Sequence, residues 1–287
     1  MWLTNSSIGR KLVMCITGAC LILFVTFHVL MNAVAIFWPS AYDVICAFLG
    51  ANWYALVASI GLAALFVIHI IYAVWLTLQN RKARGNDRYA VTSKPKQVEW
   101  ASQNMLVLGI VILAFLVVHL IQFWAKMQLA EIIGCDAHHD GVEVPPAAGS
   151  LFLHIAFSQI WTPIVYIIGF IALWFHMNHG FWSMFQSCGW DNDVWIKRLK
   201  CIGCWWTTIV IGLFVAQAIV FTVRANTTTF EEACANYFAE TGYAAAVAPQ
   251  LGAACTEGCN NNCTPDCNNC ETPCEGVAIE TETIVID

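Results

Sequence analysis

The sequence predicts an all-α integral membrane bundle of five transmembrane helices, with the N-terminus cytoplasmic and the C-terminus outside. Three observations carry this. Of 287 residues, 59% are hydrophobic and only 11% are charged, less than half the share of about 25% in a soluble domain. Five long stretches contain no Asp, Glu, Lys or Arg at all. The basic residues alternate from one end of these stretches to the other. A mean hydropathy of +0.65 excludes disorder, collagen and coiled coil. The formal net charge of −6 reflects acids gathered mostly in the last third. No basic patch with interleaved aromatics lies outside the apolar stretches, so nucleic acid is not expected as a partner.

A hydrocarbon core about 30 Å thick takes about 20 apolar residues as a helix. The qualifying stretches are 12–38, 53–78, 105–124, 151–178 and 204–223. Helix is the expected state, because in lipid the backbone must satisfy its own hydrogen bonds. The first stretch follows Arg10 and Lys11 but is too long for the apolar core of a signal peptide and lacks a small-residue cleavage site, so it reads as a retained span. Arg10 and Lys11 precede span one. Arg81, Lys82, Arg84, Arg88, Lys94 and Lys96 separate spans two and three, and Lys197, Arg198 and Lys200 separate spans four and five. Only Lys126 and Arg224 fall on the other side. The positive-inside rule then gives the stated orientation, and the expected location is a cytoplasmic (inner) membrane, multi-pass. Trp38, Trp53, Trp124, Trp182, Trp205 and Trp206 sit near span ends, as interfacial aromatics do. Residues 1–224 form the membrane domain. Residues 225–287 read as an acidic, Cys-rich, extracytoplasmic tail, loosely structured apart from crosslinks.

Five of eight histidines fall inside these stretches: His28, His69, His119, His154 and His176. A ring nitrogen in hydrocarbon is costly, which makes each a functional expectation, against the plainer reading of one imidazole bonded to a neighbouring carbonyl. Depth separates the two. Spans one and three run outward and place His28 and His119 in the outer half. Spans two and four run inward and place His69 and His176 in the inner half, at 1.5 Å per residue. Two imidazoles at one level on facing helices suit the axial positions of a haem iron, so two pairs imply two haem b groups, one above the other. Ligation by two histidines leaves no open position, which points to electron transfer. Gly18, Gly109 and Gly169 precede His28, His119 and His176 by ten, ten and seven residues, leaving room for a porphyrin or serving close helix packing. Arg10, Lys11, Arg81, Arg84 and Ser6 are the expected propionate partners. Their plainer role is orientation.

These histidines sit in TGACLILFVTFHVLMN, VIHIIYAVWLTLQNRKARGNDRYAV, AFLVVHLIQFW and LWFHMNHGFWSMFQSCGW. In that order on the first four spans, the motifs resemble the diheme cytochrome b membrane anchor of succinate dehydrogenase and fumarate reductase, the five-span, single-polypeptide type, over roughly residues 5–225. The resemblance implies that His69 and His176 hold a proximal haem and that His28 and His119 hold a distal one. The family pattern of Phe-His with a Gly four residues after the His, matched here by Gly180, implies His176 rather than His179, which is expected to face headgroups or a partner. The resemblance further implies a flavoprotein subunit and an iron–sulfur subunit on the cytoplasmic side, and electron exchange with menaquinone or another quinone. It leaves a higher oligomer of the complex open. Where some relatives carry an embedded glutamate two residues before the fourth ligand, this chain has Trp174, and the Cys-rich tail lies outside the family pattern.

A quinone needs hydrogen-bond partners and a proton acceptor. His154 and Asp43 are the expected pair, from a set that also holds Asn32, Asn52 and Gln159. Against this, Asp43 reads equally as a solvated loop acid and His154 as an interfacial ring. Cys15, Cys20 and Cys46 read as small apolar fillers, and Cys201 with Cys204 as a single weak CxxC. In the tail, Cys234, Cys255, Cys259, Cys263, Cys267, Cys270 and Cys274 suggest disulfides, with thiolate metal binding as second choice and Cys135 as a partner for the odd thiol. Two other functions compete: the cytochrome b subunit of another dehydrogenase, and a proton-coupled transporter using a histidine relay.

Overall fold

A computed structural model describes residues 6–84, 99–190 and 192–241. Among them, five helices are long and apolar enough to cross a membrane: α1 (Ser7–Phe37), α3 (Trp53–Arg84), α4 (Trp100–Ile133), α6 (Trp161–Ser187) and α7 (Trp195–Thr227). Shorter elements lie at the far side, where α1 ends. These are α2 (Pro39–Gly50), a hairpin of β1 (Ala137–His139) and β2 (Val142–Val144), α5 (Gly149–Phe157) and α8 (Phe230–Thr241).

Helix α1 starts where the Ser6 hydroxyl accepts a hydrogen bond from Gly9 N at 2.9 Å, satisfying one of the orphan donors of a first turn. At its other end Arg224 of α7 donates to the carbonyls of Ala35 (3.0 Å) and Ile36 (2.6 Å). A charge beside the last turn's negative dipole end is favourable. About two turns before that end, the Gln217 amide donates to Val29 O at 3.2 Å. These bonds join the first and last spans across the bundle.

The core runs between α6 and its neighbours: Tyr166, Phe170 and Phe157 pack with Ile211, Ala218 and Phe221. Gly169 belongs to this packing, since a Cβ there would lie 2.5 Å from the Phe115 ring. A wide apolar surface faces outward, with Leu23, Ile60, Ile110, Ile164, Ile171 and Ile209 each more than half exposed. In water such a surface is a liability; in a bilayer it is the solvent-facing side. Helix α3 runs beside α1, barely meets α4, and has no buried residue among those described.

The structure corrects three expectations. The stretch 151–178 is not one span. It breaks at residues 158–160, and the apolar segment before the break is α5, buried under α8 and the hairpin with Leu151 and Phe152 at 1% exposure. Apolar sequence reads alike whether lipid or protein covers it. The region after residue 225 does not begin as loose chain. Helix α7 runs on to Thr227, and α8 seats Cys234, Tyr237 and Phe238 against Val144 and Phe152. The compact unit ends at Thr241; tail residues 242–287, with their six cysteines, lie outside the described residues. Cys135 and Cys234 are both free thiols and are not joined to each other. The hairpin turns on Asp140 (φ 50°) and Gly141 (φ 79°), the pair of positive φ angles that a two-residue turn of this hand requires.

Candidate functional site

An apolar cavity of about 1060 Å³ lies between α1, α3, α4 and α6. Ordinary protein interiors leave few voids larger than a water molecule. Four of its wall residues are the histidines of the first four spans. His28 and His119 face each other with ring centroids 5.8 Å apart, nearly perpendicular. His69 and His176 do so at 6.2 Å. A metal ion held by two opposed imidazole nitrogens at about 2 Å each puts the ring centroids roughly 6 Å apart. Thr17, bonded to His69, precedes His28 by eleven residues on α1, so the two pairs stand about 16 Å apart along the bundle.

Hydrogen bonds at Nδ1 decide which nitrogen carries the proton. The Tyr166 hydroxyl donates to Gln122 Oε1 at 3.0 Å, so toward His119 Nδ1, 3.2 Å away, it accepts. The Thr17 hydroxyl donates to Val13 O at 2.9 Å and accepts from His69 Nδ1 at 3.1 Å. Both networks assign the proton to Nδ1 and leave the Nε2 lone pair free. Asn32, one turn beyond His28, donates to His28 O at 2.8 Å, lies 3.4 Å from His28 Nδ1, and accepts from the Tyr42 hydroxyl at 3.0 Å. His176 Nδ1 is buried with no partner among the described residues. The π-helical stretch of α4, Leu120–Leu129, begins directly after His119 and carries Gln122. Such insertions recur at functional sites.

The glycines sort differently from their spacing. A Cβ on Gly18 would meet His69 Cε1 at 3.7 Å, and one on Gly109 would meet His176 Cε1 at 4.0 Å. Both belong to the pair nearer the start of α1, not to the histidine ten residues on. Gly180 also lines the cavity, with nothing within 4 Å of the place a Cβ would occupy.

Other expected site residues stand elsewhere. Ser6 caps α1. Arg10 lies over the Trp75 ring at 5.6 Å. Lys11 and Arg81 are exposed, and the Arg84 side chain lies outside the described residues. Of these, Ser6, Arg10, Lys11 and Arg81 do not line the cavity. Asp43 is not a solvated loop acid: it is 5% exposed and uses both oxygens on Ser150, accepting from its N at 2.7 Å and its hydroxyl at 2.6 Å. This clamps α2 to the first turn of α5. Burial raises its pKa to about 6 against the lowering effect of those two bonds. His154 Nε2 lies 3.2 Å from Thr228 O; burial lowers its pKa despite that bond. Neither residue reaches the cavity. His179 faces inward rather than toward headgroups, with Nδ1 3.7 Å from Glu99 Oε2 and its ring edge-on to Trp182. Glu99 also accepts from Lys200 at 2.7 Å. Partial burial acts to raise its pKa, but Lys200 and His179 outweigh it and the net shift is downward.

Tyr166, Gln122, Thr17, Tyr42 and the Glu99–Lys200 bridge were not singled out in the sequence. Gln122 had a signal, lying three residues from His119 on one helix face; the others meet the site only through folding. Trp174 donates to Thr208 at 3.1 Å, tying α6 to α7.

Among the described residues, no group of three or more His, Cys, Asp or Glu is arranged to hold a bare metal ion. The site is instead two pairs of neighbouring imidazole rings in an apolar cavity of a multi-pass helical membrane bundle. No family model, curated protein or solved structure matches the chain.

Proposed function

We propose that the chain is the membrane anchor and diheme cytochrome b subunit of a succinate:quinone oxidoreductase or quinol:fumarate reductase. One observation supports this above the others: two histidine pairs, each at the spacing of a shared metal, stacked in one large apolar cavity. His28 with His119 and His69 with His176 would be the axial ligands of two haem b groups. Haem bound there supplies reversible one-electron chemistry at iron that has no open coordination site. The chain's own residues do the rest. Tyr166 and Thr17 hold two rings in the ligating tautomer, and Asn32 braces a third. Gly18 and Gly109 keep side-chain bulk away from the inner pair. Two levels about 16 Å apart divide a core about 30 Å thick into shorter electron hops.

On this reading the side where α1 starts is cytoplasmic. Lys11 and Arg81, exposed there, would meet headgroups or the flavoprotein and iron–sulfur subunits. The quinone belongs near the outer pair. Asn32, Tyr42, Gln128, Glu131 and Gln217 line that part of the cavity and offer donors, acceptors and one carboxylate for the proton. They are proposed in place of Asp43 and His154, whose polar atoms are engaged away from it.

Purification of the tagged chain from its native membrane tests the proposal. A flavoprotein and an iron–sulfur protein should accompany it, and succinate or a quinol should reduce its haem. A chain that purifies without them, or whose haem neither donor reduces, refutes it.

A further inference from the structure

The cytoplasmic end of the bundle on the reading above carries a second cluster with no part in ligation. Cys15, in the third turn of α1, and Cys188, just past the last turn of α6, are 173 residues apart in the chain, yet their sulfurs lie 3.4 Å from each other. Cys15 is half-buried and Cys188 exposed. The Cys15 thiol lies 3.4 Å from Met184 O, to which it donates.

Cys188 is not on a loose end. Its N–H bonds back to Met184 O (3.2 Å) and Phe185 O (3.1 Å), and Trp190 N closes on Phe185 O at 3.0 Å. Gly189 takes φ 82°, the left-handed residue that commonly terminates a helix. Cys15 sits within a continuous helix. Two backbones are thus held with their thiols in contact, and a bond needs the sulfurs to close by only about 1.4 Å, to a disulfide length of about 2.05 Å.

We propose that Cys15 and Cys188 form a redox-modification site, a dithiol that closes to a disulfide joining α1 to the end of α6. The co-reactant is a small disulfide of the oxidised-glutathione class. The exposed Cys188, as thiolate, attacks one sulfur of the reagent; the reagent's S–S bond breaks and one small thiol leaves with the electron pair. Cys15 then loses its proton and attacks Cys188 Sγ, and the second small thiol leaves. Two protein thiols are oxidised by two electrons and one small disulfide is reduced to two thiols. In a reducing compartment such bonds are transient or sensory rather than structural, and excess small thiol reverses this one. The bond clamps the cavity where Cys15, Ser183, Met184 and Ser187 line it.

Detergent-solubilised full-length chain, in whatever complex it purifies with, is treated with oxidised glutathione, quenched with acid and digested for mass spectrometry. The wild type should yield a Cys15–Cys188 crosslinked peptide with no glutathione left on Cys188. Cys15→Ser should trap a stable glutathione adduct on Cys188, and Cys188→Ser should leave Cys15 unmodified. An unresolved adduct on Cys188 of the wild type, or no reaction at either thiol, overturns the proposal. Haem is counted in the same samples. A chain that crosslinks without haem refutes the cytochrome reading and leaves this inference standing; a chain with haem and no crosslink does the reverse.

Discussion

Replacing Tyr166 by Phe removes one oxygen and leaves a ring of the same shape. That oxygen accepts from His119 Nδ1 at 3.2 Å while its own proton goes to Gln122 Oε1 at 3.0 Å, and Gln122 in turn donates to Thr162 at 3.1 Å. The residue is 4% exposed. A histidine ligand whose far N–H donates to a polarised acceptor is a stronger base, which favours the oxidised metal. Outer-shell losses of this kind cost about 10–100-fold in metal affinity. If a tenfold loss falls on the oxidised state alone, the midpoint potential of the outer centre rises by about 59 mV for one electron. The orphaned Gln122 carbonyl costs about 1–3 kcal/mol of stability, a loss that a thermal melt reads separately. The assay is a redox titration followed in the visible spectrum, with two components resolved. The expected result is an upward shift of one component and no change in the other, which belongs to His69 and His176. No shift, or equal shifts in both, would refute the assignment of Tyr166 to the outer pair.

The other predictions rest on the same geometry. On the proposed diheme reading, His119→Ala should reduce haem from two per chain to one, and His69→Ala should remove the other; a pyridine haemochrome assay counts them. Gly109→Leu should fill the space beside His176 and cost the inner haem while sparing the outer, although Gly109 lies on the same helix as His119. Asp43 has its carboxyl pKa raised from 3.8 to about 6 in the fold. The folded state therefore holds its proton more tightly than the unfolded one, and stability from this group falls as pH rises from about 4 to about 6, then levels. Asp43→Asn should remove that slope, seen as a wild-type-minus-variant difference in Tm that changes across this window and is flat above it.

The bundle was readable because lipid imposes a length and forbids charge, and five stretches met both conditions. The two histidine pairs were readable from depth alone, since alternating span direction converts residue counts into height. Composition failed where two environments want the same residues. Leu151 and Phe152 are as apolar as any lipid-facing residue, yet they lie beneath α8 in a small folded cap, and the break at 158–160 is marked in the stretch 151–178 only by Ser158, Gln159 and the following Pro163, a helix-boundary signal that the reading by hydropathy and charge passed over. Spacing failed for Gly18 and Gly109, because a helix residue ten positions from a histidine lies about 15 Å away along the axis and serves whatever stands at its own level. The Tyr166–His119 and Asn32–Tyr42 contacts depend on how helices rotate about their axes, which periodicity leaves undetermined in spans that are apolar on every side.

The most direct measurement is electron paramagnetic resonance of the oxidised, purified chain at low temperature, combined with iron and haem counts. Two distinct low-spin signals of bis-imidazole type at two haems per chain, one lost in His119→Ala and the other in His69→Ala, are what paired ligation predicts. A chain free of haem, or one whose two signals both survive either substitution, would contradict it.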